Sequence, residues 1–165
     1  MGRETTSSQQ IRMAAPEDAA QIAAALRRSF AEYEPLYTPA AFAATVCTPG
    51  QILERMSEGP VWVAVENGTI VGTVSAVPRV RALYVRGMGV DPAMRGRGTG
   101  RALLERAEEF ASRNGFDRLL LSTTPFLLSA IRLYEKHGFR REDSGPHDLL
   151  GTPLFTMIKD LNPPA

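Results

Sequence analysis

Between Val90 and Phe110 the chain reads VDPAMRGRGTGRALLERAEEF, with glycines at 96, 98 and 100 set among Arg95, Arg97 and Arg101. Glycines packed this densely cost conformational entropy, so they mark a backbone that must turn sharply or be approached closely. Leu103, Leu104, Ala107, Phe110 and Ala111 then share one face of a 3.6-residue period, which predicts a helix. A glycine-rich turn running into a helix is an anion site. The first N–H groups of the helix have no internal partners, and the dipole at that end is positive. Phosphate is the natural guest, and the three arginines would add charge around it.

Spacing separates the known phosphate loops. A dinucleotide fingerprint, G-x-G-x-x-G, would begin at Gly96 and Gly98 and require glycine at 101, where Arg101 stands. A P-loop needs Gly-Lys followed by Ser or Thr, and the chain contains no Gly-Lys pair. A turn that only caps the helix leaves the density of glycine unexplained.

The loop must be held by a fold. Ile11–Ala14 predicts a short strand, and residues 15–33 a helix with Pro16, Glu17 and Asp18 in its first turn and Ile22, Ala25, Leu26 and Phe30 as its buried stripe. Residues 38–59 predict one or two short helices broken near Pro49 and Gly50. PVWVAVENGTIVGTVSAV predicts a hairpin turning on Asn67-Gly68, and VRALYVRGMGV a third strand leading into the loop. Asn114-Gly115 ends the helix after the loop. FDRLLLSTT then predicts a buried strand, LLSAIRLYEKHGF a helix closed by Gly138, and GFRRED and PLFTMIKDL two last strands. The pattern is one α/β sheet with helices on both faces. A polar tail over residues 1–10 precedes a single domain over residues 11–165, and Asn162–Ala165 form a second tail.

Composition bounds the function. The 165 residues are 44% apolar and 22% charged, as expected of one soluble domain. Lysine and arginine number 19 against 18 acids, and a net charge of +1 gives no field to gather nucleic acid or an anionic membrane. A single cysteine, Cys47, forms no internal disulfide, and with only His137 and His147 beside it no metal site is expected. No apolar run spans a bilayer and the first ten residues lack a signal core, so a cytoplasmic protein is expected. Gly2 followed by Thr6 matches the N-myristoylation pattern, which is short enough to recur by chance.

MGVDPAMRGRGTGRALL resembles the acetyl-CoA-binding signature of the GNAT superfamily of N-acetyltransferases, with Arg95, Gly98 and Gly100 at its core positions. AIRLYEKHGF, Ala130–Phe139, is similar to a second segment of that family at the usual distance downstream. The resemblance implies a mixed, strongly twisted sheet of six or seven strands, splayed between its two central strands, with the cofactor in the opening. It also implies roles. The backbone N–H groups of Gly96, Arg97, Gly98, Thr99, Gly100 and Arg101 would surround the coenzyme A pyrophosphate, so the Thr99 side chain need not matter. The main chain of Met88 and Val90 would pair with the pantetheine arm, Gly89 would sit in a bulge, and the Val90 N–H would face the thioester oxygen. Tyr134 matches the tyrosine near the coenzyme sulfur that protonates the leaving thiolate. Helical spacing alone also fits a core tyrosine.

The activity implied is direct attack of a primary amine on acetyl-CoA, with no metal and no acyl-enzyme. Alternatives are a coenzyme A-binding regulator without turnover and transfer of another acyl group. Near pH 7 a lysine-like amine is neutral about once in 2500 and an α-amine about once in ten. Glu32, Glu34 and Tyr84 are candidate bases, none assigned. Many family members have asparagine where this chain has Leu127, a contact that Ser129 could replace. Cys47 is expected to pack, and both histidines to lie on surface turns. GTPLFTMIKDL is expected to be an edge strand able to form a homodimer, and the acceptor to be a small-molecule or peptide amine.

Overall fold

The computed structural model describes residues 9–161; the Gly2–Thr6 pattern and the final four residues lie outside the described residues. Strand β1 (Gln10–Met13) leads through a 3-10 turn at Pro16–Asp18 into α1 (Ala19–Phe30), whose Ile22, Ala25 and Leu26 are buried as the spacing predicts. The helix does not continue to Tyr33: residues Ala31–Leu36 tighten into a 3-10 segment containing Pro35, which lacks the N–H that an α-helix would use. Helices α2 (Pro39–Thr45) and α3 (Pro49–Glu58) each begin with proline after a threonine cap. The hydroxyls of Thr38 and Thr48 accept from the N–H groups of Ala41 and Gln51, each at 3.2 Å.

Strands β2 (Val61–Glu66) and β3 (Thr69–Pro78) turn on Asn67 and Gly68, both at positive φ, as a tight hairpin requires. Then follow β4 (Ala82–Val90), α4 (Thr99–Arg113), β5 (Arg118–Thr123), α5 (Leu128–Lys136), β6 (Arg140–Glu142), a small hairpin of β7 (Asp148–Leu149) and β8 (Thr152–Pro153), and β9 (Phe155–Asp160). The main sheet runs β1-β2-β3-β4-β5-β9-β6, and all neighbours are antiparallel except β4 and β5. The β7–β8 hairpin has no counterpart in the sequence expectations, and β9 overturns one of them. It lies between β5 and β6, so both its edges are paired and it is not an edge strand for a homodimer.

Two apolar layers cover the sheet. Helix α4 buries Leu103, Leu104 and Ala107, and α5 buries Tyr134, in a cluster with Val74, Leu83, Val85, Leu119, Leu121 and Met157. On the other face, α1 and α3 pack Ile22, Leu26 and Ile52 on Val61, Val63 and Ile70. A third cluster, Tyr37, Phe42 and Val46 with Phe126 and Leu149, joins α2 to the far ends of β5 and the small hairpin. Among the described residues no helix is long and apolar enough to cross a membrane.

The sheet opens at its centre. β4 and β5 pair from Ala82↔Arg118 to Val85↔Leu121, after which β4 continues to Val90 without that partner. A bulge accompanies the parting: Thr73 faces Gly89 but Ser75 faces Arg86, so Gly87 and Met88 together oppose Val74. Gly87 has φ +60. The bulge therefore precedes the expected Gly89, which stays in the ladder. Gly89 lacks a side chain for a different reason, since a β-carbon there would lie 3.0 Å from Ser29 Oγ and 3.2 Å from Leu26 Cδ2 on α1.

The start of α1 is pinned by Asp18, whose carboxylate accepts from Arg12 on β1 at 2.7 and 3.0 Å and from the Ala15 N–H at 2.8 Å. The Arg12 hydrogen bond holds this carboxyl below its usual range, against the effect of burial. A depressed folded pKa gives stability that is present above the unfolded value of about 3.9 and lost as pH falls through the folded one. Asp18→Ala is expected to destabilise the fold by about 1–3 kcal/mol at pH 7, and the deficit relative to wild type should shrink below about pH 4. Urea unfolding of both proteins at pH 7 and pH 3 checks this.

Candidate functional site

A cleft of about 420 Å³ lies where β4 parts from β5, walled by the end of α1, the loop before α4 and the start of α5. The loop leaves β4 through a 3-10 turn at Pro92–Met94, capped by Asp91, whose side chain accepts from the Ala93 N–H at 3.1 Å. Gly96 and Gly98 take left-handed φ values of +79 and +81, and a β-carbon on either would meet nothing within 4 Å. These glycines are needed for dihedrals, and their outer face is open. Gly100 is needed for space: its β-carbon would lie 2.9 Å from Leu133 Cδ2 on α5 and 3.2 Å from Met88 Cε.

With Gly98 capping α4, its first intrahelical bond runs from the Ala102 N–H to the Gly98 carbonyl at 3.0 Å. Thr99, Gly100 and Arg101 therefore have no intrahelical acceptor for their N–H groups. The Thr99 side chain does have a task, contrary to expectation: it is fully buried and its hydroxyl donates to Gln9 Oε1 at 2.6 Å, tying the loop to the entry of β1.

The loop arginines differ from the expectation more sharply. Arg95 pairs with Glu32 and donates to the Ser29 carbonyl at 2.9 Å. Arg97 turns away from the cleft to the buried Glu66 at 3.1 Å, and Arg101 pairs with Glu105 one helical turn on at 2.9 Å. All three cations are thus matched by carboxylates. Two cleft residues that the sequence reasoning missed, Arg132 and Lys136, have no ion pair among the described residues. Their i, i+4 spacing on α5 was the available signal.

Met88, Gly89 and Val90 line the cleft from β4. The Asp91 N–H donates to the Val71 carbonyl on β3 at 2.8 Å, so strand alternation turns the amide of Val90 to the opposite edge, into the opening. Tyr134 also lines the cleft and is 8% exposed, its hydroxyl 3.9 Å from Met88 Sδ. Tyr134 is thus a core residue, its ring packing on Phe139 at 5.8 Å, that also lines the cleft. Leu127 and Ser129 both lie on the wall.

None of the three candidate bases lines the cleft. Glu32 is held by Arg95, Glu34 is exposed on the 3-10 segment, and Tyr84 lies under the Arg79 guanidinium at 4.2 Å. Cys47 is buried among α1 and α3 with its thiol toward the Ala44 carbonyl. His137 closes α5 and burial lowers its pKa, while His147 is exposed.

A model of the acetyltransferase (GNAT) family matches residues 20–139, well over half of the chain. The chain belongs to this family. It is 43% identical over 82 residues to the N-acetylaspartate synthetase of Danio rerio, covering 48% of this chain and 29% of that protein. It is 41% identical over 100 residues to the IAA acetyltransferase of Azospirillum brasilense, covering 59% and 64%. The chain spans about a third of the N-acetylaspartate synthetases it matches. Among solved structures, the PaiA N-acetyltransferase of Thermoplasma acidophilum in complex with coenzyme A superposes with a TM-score of 0.80 at 19% identity, over 93% of this chain and 99% of that one. YncA from Salmonella typhimurium, a putative acetyltransferase with its cofactor acetyl-CoA, superposes with a TM-score of 0.72 at 25% identity, over 95% and 96%. The family fold accords with the splayed mixed sheet.

Burial drives the Tyr134 phenol well above its ordinary range. Such a group adds stability that is complete below the unfolded pKa of about 10 and is lost as pH rises toward the folded value. A titration of phenolate absorbance is therefore expected to superpose for wild type and Tyr134→Phe up to about pH 11. One extra phenolate in the folded wild type below that pH would contradict the buried placement.

Proposed function

We propose that the protein is an acetyl-CoA-dependent N-acetyltransferase that acts on a primary amine. The observation that carries this is the juxtaposition, in one cleft, of an unpaired strand edge, a helix start with open glycines, and a buried phenol. In this reading the N–H groups from Gly96 to Arg101 surround the pyrophosphate, and Arg132 and Lys136 supply the charge that the paired loop arginines do not. The free edge of β4 extends main-chain pairing to the pantetheine arm. Family membership and the names of relatives, N-acetylaspartate synthetase among them, support acetyl transfer to an amino group.

The bound thioester supplies the activated acetyl group; the chain positions it and stabilises the charge that develops. Val90 N–H is placed to donate to the carbonyl oxygen as it becomes negative. Tyr134 enters protonated. Unshifted phenol and thiol pKa values of about 10 and 8.5 make proton transfer to the thiolate uphill by roughly 2 kcal/mol, and the desolvation that raises the buried phenol also raises a thiol leaving into the same cleft. The hydroxyl therefore serves mainly as a hydrogen-bond donor to the departing sulfur. The amine must arrive neutral, and the proton its nitrogen sheds as the C–N bond forms and the C–S bond breaks is taken up by the departing thiolate by way of solvent. Neutrality favours an α-amine over a lysine-like one, because the described lining of the cleft carries no carboxylate or imidazole.

Calorimetric titration with acetyl-CoA, together with thiol release in the presence of amines, tests this reading. Tyr134→Phe is expected to lower turnover by about 10- to 1000-fold with acetyl-CoA affinity unchanged. Gly98→Asp is expected to bind acetyl-CoA at least about 10-fold more weakly than Gly98→Asn, which has the same shape and bears the same left-handed backbone without the charge. Unaltered turnover removes Tyr134 from the chemistry, and equal binding by the two Gly98 variants removes the loop as the phosphate site.

A further inference from the structure

On the face of the sheet opposite α4 and α5, a polar row crosses five strands at the level where β4 and β5 part. Ser75 on β3 faces Arg86 on β4, and Arg86 stands one step beyond the last β4–β5 pair, level with Ser122 on β5. Ser122 faces Thr156 on β9, which faces Glu142 on β6. Val85, Leu121 and Met157, the neighbours of Arg86, Ser122 and Thr156, point into the α4–α5 core, so the polar members point the other way.

Part of this row is satisfied, since Ser75 Oγ donates to the Arg86 carbonyl at 2.9 Å and Glu142 accepts from Ser144 at 3.2 Å. Among the described residues, Arg86 Nε, Ser122 Oγ and Thr156 Oγ1 on this row are buried without a hydrogen bond. Thr123 instead shares the face of Leu121 and of its partner Phe155, toward α4 and α5. Buried polar groups are ordinarily satisfied, and orphans gathered at one place point to a polar guest. Beyond the row Thr124 meets Tyr37, whose ring meets Phe126 edge-on at 4.9 Å.

Charge identifies the guest. Arg55, half-buried on α3, reaches across to β4, where a β-carbon on Gly87 would collide with its Nη1. It has no hydrogen bond or ion pair among the described residues. Arg86 shares its surroundings, and the carboxylate that acts on both is Glu58, which Arg86 holds at 2.9 Å. Two guanidiniums against one carboxylate leave an unmatched positive charge beside orphaned donors. Guanidinium forks suit carboxylates.

We infer that the acceptor is a small amine that carries a carboxylate, seated on this row with its carboxylate between Arg55 and Arg86 and its amine toward the opening beyond Val85. The inference rests on the acetyltransferase reading and adds the acceptor's chemistry to it. The remaining hydrogen bonds fall to Ser122 and Thr156. Arg55 is desolvated without compensation from an ion pair, a cost that stability alone does not explain.

The test uses the full chain, acetyl-CoA and matched probes: L-amino acids, L-aspartate and L-alanine among them, the corresponding carboxamides, and simple alkylamines. Acids are expected to exceed their amides by about 10- to 1000-fold in kcat/KM. Arg55→Met should raise the KM of the acid probes by at least about 10-fold, leave acetyl-CoA affinity unchanged, and raise the melting temperature because an unmatched charge is removed. A structural role for Arg55 would instead lower the melting temperature without altering the preference for acids. Amides or alkylamines accepted as well as acids, an Arg55→Met variant with the wild-type preference, or no turnover of any carboxylate-bearing probe by protein that binds acetyl-CoA would each overturn the inference. Failure of the wild type to bind acetyl-CoA would instead overturn the reading on which it rests.

Discussion

The end of hydrogen bonding between β4 and β5 at Val85 and Leu121 is the constraint on which the rest depends. A strand in the middle of a sheet ordinarily has both edges paired, and an unpaired edge is a template for another extended chain. Here the edge is internal, flanked by helices on both faces. The bulge at Gly87–Met88 reorients β4 against β3 as the parting begins, and Gly89 lets α1 close over the strand without separating it from β3. The cleft is the space left by the lost pairing.

The loop before α4 depends on the same parting. Gly100 touches both Leu133 and Met88, so the helix start is held against α5 and β4 at once. Electrostatics then divide the labour in a way that net charge hides. Arg95, Arg97 and Arg101 brace the loop against Glu32, Glu66 and Glu105, whereas Arg132 and Lys136 on α5 have no ion pair among the described residues. A chain with a charge of +1 thus presents a locally positive cleft wall without a basic surface at large.

Local signals were legible in the sequence. Asn67-Gly68 fixes a hairpin by its own dihedrals, the stripe from Leu103 to Ala111 fixes α4, and the glycine spacing singled out the sharp turn into α4. What failed was what depends on register between distant segments. The bulge falls at Gly87–Met88 because of how β3 lies against β4, and nothing in RGMGV distinguishes that placement from Gly89. β9 is interior because β6, before it in the chain, pairs to its far side. The loop arginines lost their freedom to acids up to some sixty residues away, which spacing does not reveal. The polar row was half visible: Ser122 follows the apolar run of β5, yet only the sheet order brings Arg86 and Thr156 beside it.

The central claim is that the free edge of β4 and the start of α4 form one binding surface for coenzyme A. Amide hydrogen exchange, followed residue by residue with and without coenzyme A, tests it most directly. The account predicts that the amides of Val90 and of Gly96 to Arg101 slow by at least about 10-fold on binding, while those of Ala82 to Val85, already paired in the sheet, change little. Binding that leaves Val90 and the loop amides exchanging at their free rates would contradict it.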